Sequence, residues 1–149
     1  MKKLVLTIAV GKNYEIMSNY THPSIKDYAQ RIGADFKVVT ESNLTSPHWE
    51  KFVNITDLLD EYDRILYIDT DVLVREDAAD IFNVVPEDQL GLFNEMPYTP
   101  QRNQSLYEAC REHDIVLKNW DGKYYNTGVM VIPRNFKELF KPLPYGYIN

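Results

Sequence analysis

Two aspartates separated by one residue, Asp69 and Asp71, are the side chains of this sequence best placed to do chemistry. They directly follow the apolar run 65–68, whose length and composition are typical of a buried strand. Where a strand gives way to a loop, two carboxylates spaced in this way can converge on one hard cation, such as Mg²⁺ or Mn²⁺. A cation so held can bridge phosphate oxygens and stabilise a departing diphosphate.

The segments before the aspartates predict a β–α–β–α–β series. Strands are predicted over 4–10, 35–40 and 65–68, and helices begin at Pro23 and at Pro47, where the missing proline N–H costs no hydrogen bond. Such a series normally gives parallel strands with right-handed crossovers. In an open sheet of this kind ligands bind at the carboxyl ends of the strands, which is where both aspartates lie.

The second half of the chain predicts further alternating elements. We expect a helical turn over 77–82, a strand over 89–94, a loop over 96–102 and an amphipathic helix over 106–117. A last strand is expected over 124–132, interrupted at 127–128 and ended by Pro133. The predicted fold is therefore α/β, a mostly parallel sheet flanked by helices in a single compact domain over 1–149.

The bulk composition excludes several functional classes. The 149 residues carry a formal net charge of −6 with scattered basic side chains, which argues against a nucleic-acid partner. The longest apolar run, 4–10, is too short to span a bilayer. The one cysteine, Cys110, permits no internal disulfide, so we expect a reducing, cytoplasmic compartment.

Two other roles are conceivable for the Asp-x-Asp segment. An EF-hand loop needs an oxygen ligand and then glycine where this sequence has Leu73 and Val74, so that reading fails. A haloacid-dehalogenase-like phosphatase, with Asp69 as its nucleophile, also places Asp-x-Asp after an apolar strand. Its pattern favours Thr or Val at position 73 and normally opens the chain, so it remains an alternative here.

Two motifs resemble those of a known enzyme family. The segment 62–74, YDRILYIDTDVLV, resembles the DxD segment of glycosyltransferase family 8, the glycogenin-like enzymes of the GT-A fold. The segment 125–131, YNTGVMV, is similar to the family's Asn-x-Gly strand, and the order and separation of the two motifs are also family-like. The resemblance implies a GT-A fold, in which a Rossmann-like sheet binds a nucleotide sugar.

The resemblance also implies roles for particular residues. Asp71 would be a direct ligand of Mn²⁺ or Mg²⁺, and Asp69 would ligate the metal or bond the ribose of the nucleotide. Glu95 and Asn126 are the candidates for catalysis. The implied donor-binding residues are Ala9, Val10, Tyr14, Lys51, Asp69, Thr70, Asp71, Asn126 and Gly128.

The implied activity is that of a metal-dependent hexosyltransferase. It would move a sugar from a nucleotide diphosphate sugar, with UDP as the expected nucleotide, to a hydroxyl acceptor. One departure concerns the metal: family members commonly supply a third ligand, a histidine, downstream of the Asn-x-Gly strand. Here His22, His48 and His113 all lie upstream of it. The departure leaves open three alternatives: water in place of the third ligand, a short or truncated family member, or a catalytically degenerate module that binds nucleotide sugars.

Overall fold

The computed structural model describes residues 1–44 and 46–141 of the chain, in which strands and helices alternate. The strands are β1 (Lys3–Ile8), β2 (Asp35–Val39), β3 (Arg64–Ile68), β4 (Gly91–Asn94) and β5 (Tyr125–Pro133). The helices are α1 (Lys12–Arg31), α2 (Glu50–Leu58), α3 (Ile81–Val84), α4 (Arg102–Glu112) and α5 (Lys137–Phe140), with 3₁₀ turns at Pro47–Trp49 and Arg134–Phe136.

The five strands form one sheet in the order β2-β1-β3-β5-β4. β1 pairs in parallel with β2 and with β3, whereas β5 pairs antiparallel with β3. From β1 the chain passes through α1 to β2 on one side, and then through α2 to β3 on the other side. The strand order therefore reverses between β1 and β3, and the carboxyl ends of these two strands border the crevice where open α/β sheets bind ligands.

The core forms where α1 covers one face of the sheet. Ile25, Tyr28 and Ala29 of α1 are buried against sheet residues that include Val5 and Leu66. Strand residues of the alternate parity face the other side of the sheet. The buried residues that α2 contributes are Glu50, Ile55, Thr56 and Leu58.

A buried arginine ties β3 to the segment around α3. Arg64 is 2% exposed. Its guanidinium donates hydrogen bonds to the carbonyl oxygens of Phe82 at 2.7 Å, Val85 at 2.8 Å and Pro86 at 3.2 Å. Burial lowers the pKa of Arg64 because it disfavours the charged form. A guanidinium has only donors, and the three carbonyl oxygens accept from it in place of water.

The first helix is longer than the sequence pattern predicts. The prediction that it begins at Pro23 is wrong, because α1 begins at Lys12 and carries Pro23 in its interior. Most side chains over 12–20 are exposed, so this half of the helix lacks the apolar stripe from which a helix is predicted. Tyr14, one of the donor-binding residues that the resemblance implies, lies in the first turn of α1.

Several boundaries in the second half also differ from prediction. The helical turn expected over 77–82 corresponds to α3, which runs over Ile81–Val84. It begins after Asp80, whose side chain caps it by accepting a hydrogen bond from the Phe82 N–H at 2.9 Å. The helix expected over 106–117 runs over Arg102–Glu112. The last strand is not interrupted at 127–128, because β5 continues to Pro133 and pairs with β3.

Contacts between Cα atoms divide the chain into two compact units. One contains Met1–Gly91 and the described residues from Gly128 to Lys141, and the other contains Leu92–Thr127. The mostly parallel α/β sheet is confirmed, whereas the single domain over 1–149 stays a prediction. Over the described residues, no helix has both the length and the apolar character that crossing a membrane requires.

Candidate functional site

A cavity of about 280 Å³ opens at the carboxyl ends of β1 and β3. This volume is near the lower limit of small-molecule pockets, and the position is the one that the strand order predicts. Residues at and just beyond the ends of both strands line it, together with residues from α1, from the 3₁₀ turn before α2 and from the start of α2. The lining residues are Ile8, Val10, Tyr14, His48, Lys51, Tyr67, Asp69, Thr70 and Asp71.

Asp69 is held by two neighbours. The Tyr67 hydroxyl donates to Asp69 Oδ1 at 2.6 Å, and Lys51 Nζ lies 3.6 Å from the same oxygen. Burial, followed by the charge of Asp69, raises the pKa of Tyr67 well above its ordinary value, so its hydroxyl stays protonated. The Asp69 side chain keeps 39% of its surface exposed and borders the cavity.

Thr70, between the two aspartates, is buried at 3% exposure. Its hydroxyl donates to the Ile8 carbonyl at 2.6 Å and lies 3.2 Å from both Thr7 Oγ1 and His22 Nε2. A hydroxyl has one proton and two lone pairs. Because that proton goes to Ile8, Thr7 and His22 must donate to Thr70, which places the proton of a neutral His22 on Nε2. Burial lowers the pKa of His22, in agreement with a neutral ring.

A tight turn brings Asp71 to the same cavity. The Val72 N–H donates to the Asp69 carbonyl at 3.2 Å, which closes a turn over 69–72. Thr70 is buried, whereas Asp71 is exposed and lines the cavity with Asp69. The buried threonine therefore separates two carboxylates that both reach the cavity.

The two sequence motifs meet in the structure. The Asp69 N–H donates to the Gly128 carbonyl at 2.7 Å, which extends the antiparallel pairing of β3 and β5 beyond Ile68 and Val129. Gly128 thus borders the Asp-x-Asp turn through its main chain, although 59 residues separate the two positions in the sequence.

Two predicted residues belong to the smaller unit. Asn126 Nδ2 lies 3.3 Å from Glu95 Oε2, and Arg102 Nη2 lies 3.7 Å from Glu95 Oε1. The Glu95 N–H donates to the Tyr124 carbonyl at 2.8 Å, and the Tyr124 N–H donates to the side-chain oxygen of Asn94 at 3.3 Å. These bonds place Glu95 and Asn126 side by side.

The predicted donor residues of the larger unit are largely brought together. Val10, Tyr14, Lys51 and Thr70 line the cavity with both aspartates, whereas Ala9 is buried at 1% exposure and is not among the lining residues.

Three lining residues are not among the site residues predicted from the sequence: Ile8, His48 and Tyr67. His48 precedes Lys51 by three residues, a spacing that places two side chains on one side of a helical turn. Tyr67, in β3, precedes Asp69 by two residues, and Asp69 continues the pairing just beyond the strand, so alternation places both side chains on one face. Both spacings can be read from the sequence. Each indicates a site residue only once Lys51 or Asp69 is known to line the cavity.

The cavity offers oxygen donors for a hard cation. Two carboxylates with room for further oxygen ligands suit Mg²⁺, which usually binds proteins through one or two carboxylates plus water and substrate phosphates. Within 1–44 and 46–141, no three His, Cys, Asp or Glu side chains cluster closely enough to hold a metal ion.

Comparisons with known proteins agree with this architecture. The model of glycosyl transferase family 8 matches residues 8–138. Among solved structures, the chain is similar to a glycosyltransferase involved in the glycosylation of the major capsid of PBCV-1, with a TM-score of 0.63 and 16% identity. That alignment covers 94% of this chain and 64% of the other, so the chain spans less than two thirds of that relative.

A second solved structure, A197 from STIV, aligns with a TM-score of 0.42 and 14% identity over 98% of this chain and 73% of the other. No curated protein matches the sequence. At these identities, the structural likeness to the PBCV-1 protein concerns the fold alone.

Proposed function

The chain belongs to glycosyl transferase family 8, and from that membership we propose that it transfers a sugar from a nucleotide diphosphate sugar to a hydroxyl acceptor. The observation that carries the proposal is the cavity at the ends of β1 and β3, where Lys51 lies beside Asp69 and Asp71. Carboxylates that can hold a cation, next to a lysine, suit a diphosphate better than a neutral ligand. Family membership also sets aside the phosphatase alternative.

The residues present fit a bound cation. Asp69 and Asp71 would hold Mn²⁺ or Mg²⁺, and water and diphosphate oxygens would complete the coordination. When bound, the cation supplies positive charge that stabilises the departing nucleoside diphosphate. Lys51 adds a second positive charge, since its ammonium group lies 3.6 Å from Asp69 Oδ1 and can reach a phosphate next to it.

The apolar side of the cavity suits a nucleobase. Val10 and Tyr14 line it together with Ile8, and Tyr14 is 44% exposed, which leaves ring surface available for stacking. Stacking of an aromatic ring on a base contributes about 1–3 kcal/mol in nucleic-acid sites. We therefore propose a nucleoside diphosphate, with UDP as the first candidate, as the part of the donor that this cavity binds.

Glu95 and Asn126 are proposed to act on the sugar. The 3.3 Å contact between Asn126 Nδ2 and Glu95 Oε2 orients both groups, and Arg102 holds the other carboxylate oxygen. An amide offers both donors and an acceptor to sugar hydroxyls. We propose that Asn126 orients the donor sugar and that Glu95 polarises a hydroxyl group.

Calorimetric titration of UDP with and without Mn²⁺, followed by assays of UDP-sugar hydrolysis and transfer, tests the proposal. We expect Mn²⁺ to tighten UDP binding, and Asp71→Asn to remove that effect and the turnover, because it removes a metal-ligand charge. Asp88→Asn is the matched control, since Asp88 is exposed and is not among the lining residues.

The outcomes separate the remaining hypotheses. Turnover that depends on Mn²⁺ and Asp71 supports a transferase. Metal-dependent UDP binding without turnover of any UDP-sugar identifies the catalytically degenerate binding module. Binding that ignores both Mn²⁺ and the Asp71 substitution would contradict the proposed role of the cavity.

A further inference from the structure

We propose that Tyr67 is a positioning residue that determines which oxygen of Asp69 is offered to a cation. The inference rests on the function proposed above, because it concerns the same cavity. It adds a residue that acts through Asp69, by fixing the orientation of the carboxylate that would hold the cation.

The contact is short and buried. Tyr67 is 3% exposed, and its hydroxyl lies 2.6 Å from Asp69 Oδ1. Tyr67 lies in β3, and Asp69 directly follows its last residue and continues the pairing with β5. The two side chains are therefore expected on the same face. A carboxylate can only accept, so the tyrosine is the donor, and the bond is charge-assisted.

A second group contacts the same oxygen. Lys51 Nζ lies 3.6 Å from Asp69 Oδ1 and 5.0 Å from the centroid of the Tyr67 ring. The ring therefore supports the ammonium group while the hydroxyl holds the carboxylate. Both contacts are made to Oδ1, which leaves Oδ2 as the oxygen for a cation at the cavity.

The orientation of the Asp69 carboxylate needs a partner to fix it, because the terminal torsion of an aspartate rotates easily. Its two oxygens exchange positions over a broad range of angles unless a partner selects one orientation. Groups that orient metal ligands in this way typically contribute about 10- to 100-fold to metal affinity. Loss of the Tyr67 hydroxyl should therefore weaken metal binding while leaving both carboxylates in place.

The test is Tyr67→Phe, with Mn²⁺ affinity measured by electron paramagnetic resonance of the free ion in the presence of UDP. We expect affinity to fall by about 10- to 100-fold. Phenylalanine keeps the ring beside Lys51, so the fold should persist, and thermal unfolding checks this. Replacement of Tyr67 by 4-aminophenylalanine retains a donor at the same place and should restore much of the affinity.

Tyr62→Phe is the matched control. Tyr62 also donates its hydroxyl to an aspartate, Asp35 Oδ2 at 2.9 Å, but on the exposed surface and outside the cavity lining. Both substitutions remove one phenol–carboxylate hydrogen bond. Tyr62→Phe should leave Mn²⁺ affinity unchanged.

The possible results distinguish this inference from the proposed function. If the unaltered protein shows no Mn²⁺-dependent binding of UDP, the proposed function itself fails. If it binds both and Tyr67→Phe binds Mn²⁺ equally tightly, the positioning role alone is overturned. A Tyr67→Phe protein that melts at lower temperature but keeps its Mn²⁺ affinity also overturns it, since the tyrosine would then be purely structural.

Discussion

Thr70 shows how one buried hydroxyl can order two charged neighbours. Its single proton goes to the Ile8 carbonyl, and its lone pairs accept from Thr7 and His22. Because this side chain is fixed in the interior, the aspartates on either side are carried at the border of the cavity. The Thr70 side chain therefore anchors the turn, and the carboxylates on either side of it border the cavity.

His22 predicts a specific dependence of stability on pH. Burial lowers its pKa below the ordinary value of 6.5, so the folded state binds its proton less readily than the unfolded state. The His22 contribution to stability is therefore complete above about pH 6.5 and is lost as the pH falls below that value. Urea unfolding measured from about pH 7.5 to 5 should show this loss.

His22→Gln is the informative variant, because a glutamine amide can still donate to Thr70 but does not titrate. Its stability should decline less than that of the unaltered protein over the same pH range. His113→Gln, at an exposed position, should behave like the unaltered protein. Parallel pH profiles for all three proteins would contradict the assignment of a neutral, partly buried ring.

At the level of elements, the sequence predicts best those segments whose pattern reflects burial. The strands β1, β2 and β3 and the placement of the aspartates after β3 follow from apolar runs and their spacing. The start of α1 does not, because its first half buries little. The segment of α3 is predicted approximately, but its contact with the Arg64 guanidinium could not be predicted, because the two lie apart in the sequence.

Arg64→Met should destabilise the protein because it removes the donors that hold the α3 segment to β3. Three carbonyls would lose their partner in a place that water reaches poorly. We expect a loss of about 3 kcal/mol in the free energy of unfolding, measured by urea unfolding. Arg75→Met should cost about 1 kcal/mol or less, because the Arg75–Asp77 pair is 82% and 70% exposed. Equal losses of stability in Arg64→Met and Arg75→Met would contradict the proposed role of Arg64 in holding the α3 segment to β3.

At the scale of the whole molecule, the site is assembled from segments that are distant in the sequence. The spacing of Asp69 and Asp71 and the reversal of strand order could be derived beforehand, and so could the region of the cavity. The convergence of Lys51 with Tyr67 on one oxygen could not, since it depends on the angle at which α2 approaches β3. The amino-acid pattern therefore predicts where the site lies but not which side chains contact each other there.

Ligand binding should stabilise the whole fold by mass action. With saturating Mn²⁺ and UDP at 100 times its dissociation constant, the free energy of unfolding should rise by about 2.7 kcal/mol. For a chain of this size, that corresponds to a rise of about 5–10 °C in the melting temperature. Differential scanning fluorimetry measures it.

The two ligands together should raise the melting temperature more than the sum of their separate effects, because the cation and the diphosphate bind each other. Asp71→Asn should abolish that excess. An excess that survives the substitution would place the ligands somewhere other than this cavity.

The bond from the Asp69 N–H to the Gly128 carbonyl also provides an internal spectroscopic reporter. At 2.7 Å it closes the junction between β3 and β5, so this amide can exchange with deuterium only when the junction opens. In a ¹⁵N-labelled sample, the exchange rate of this one amide would measure how often the Asp-x-Asp turn separates from the neighbouring strand. A ligand that engages the turn should slow that exchange well before any change in overall structure is detectable.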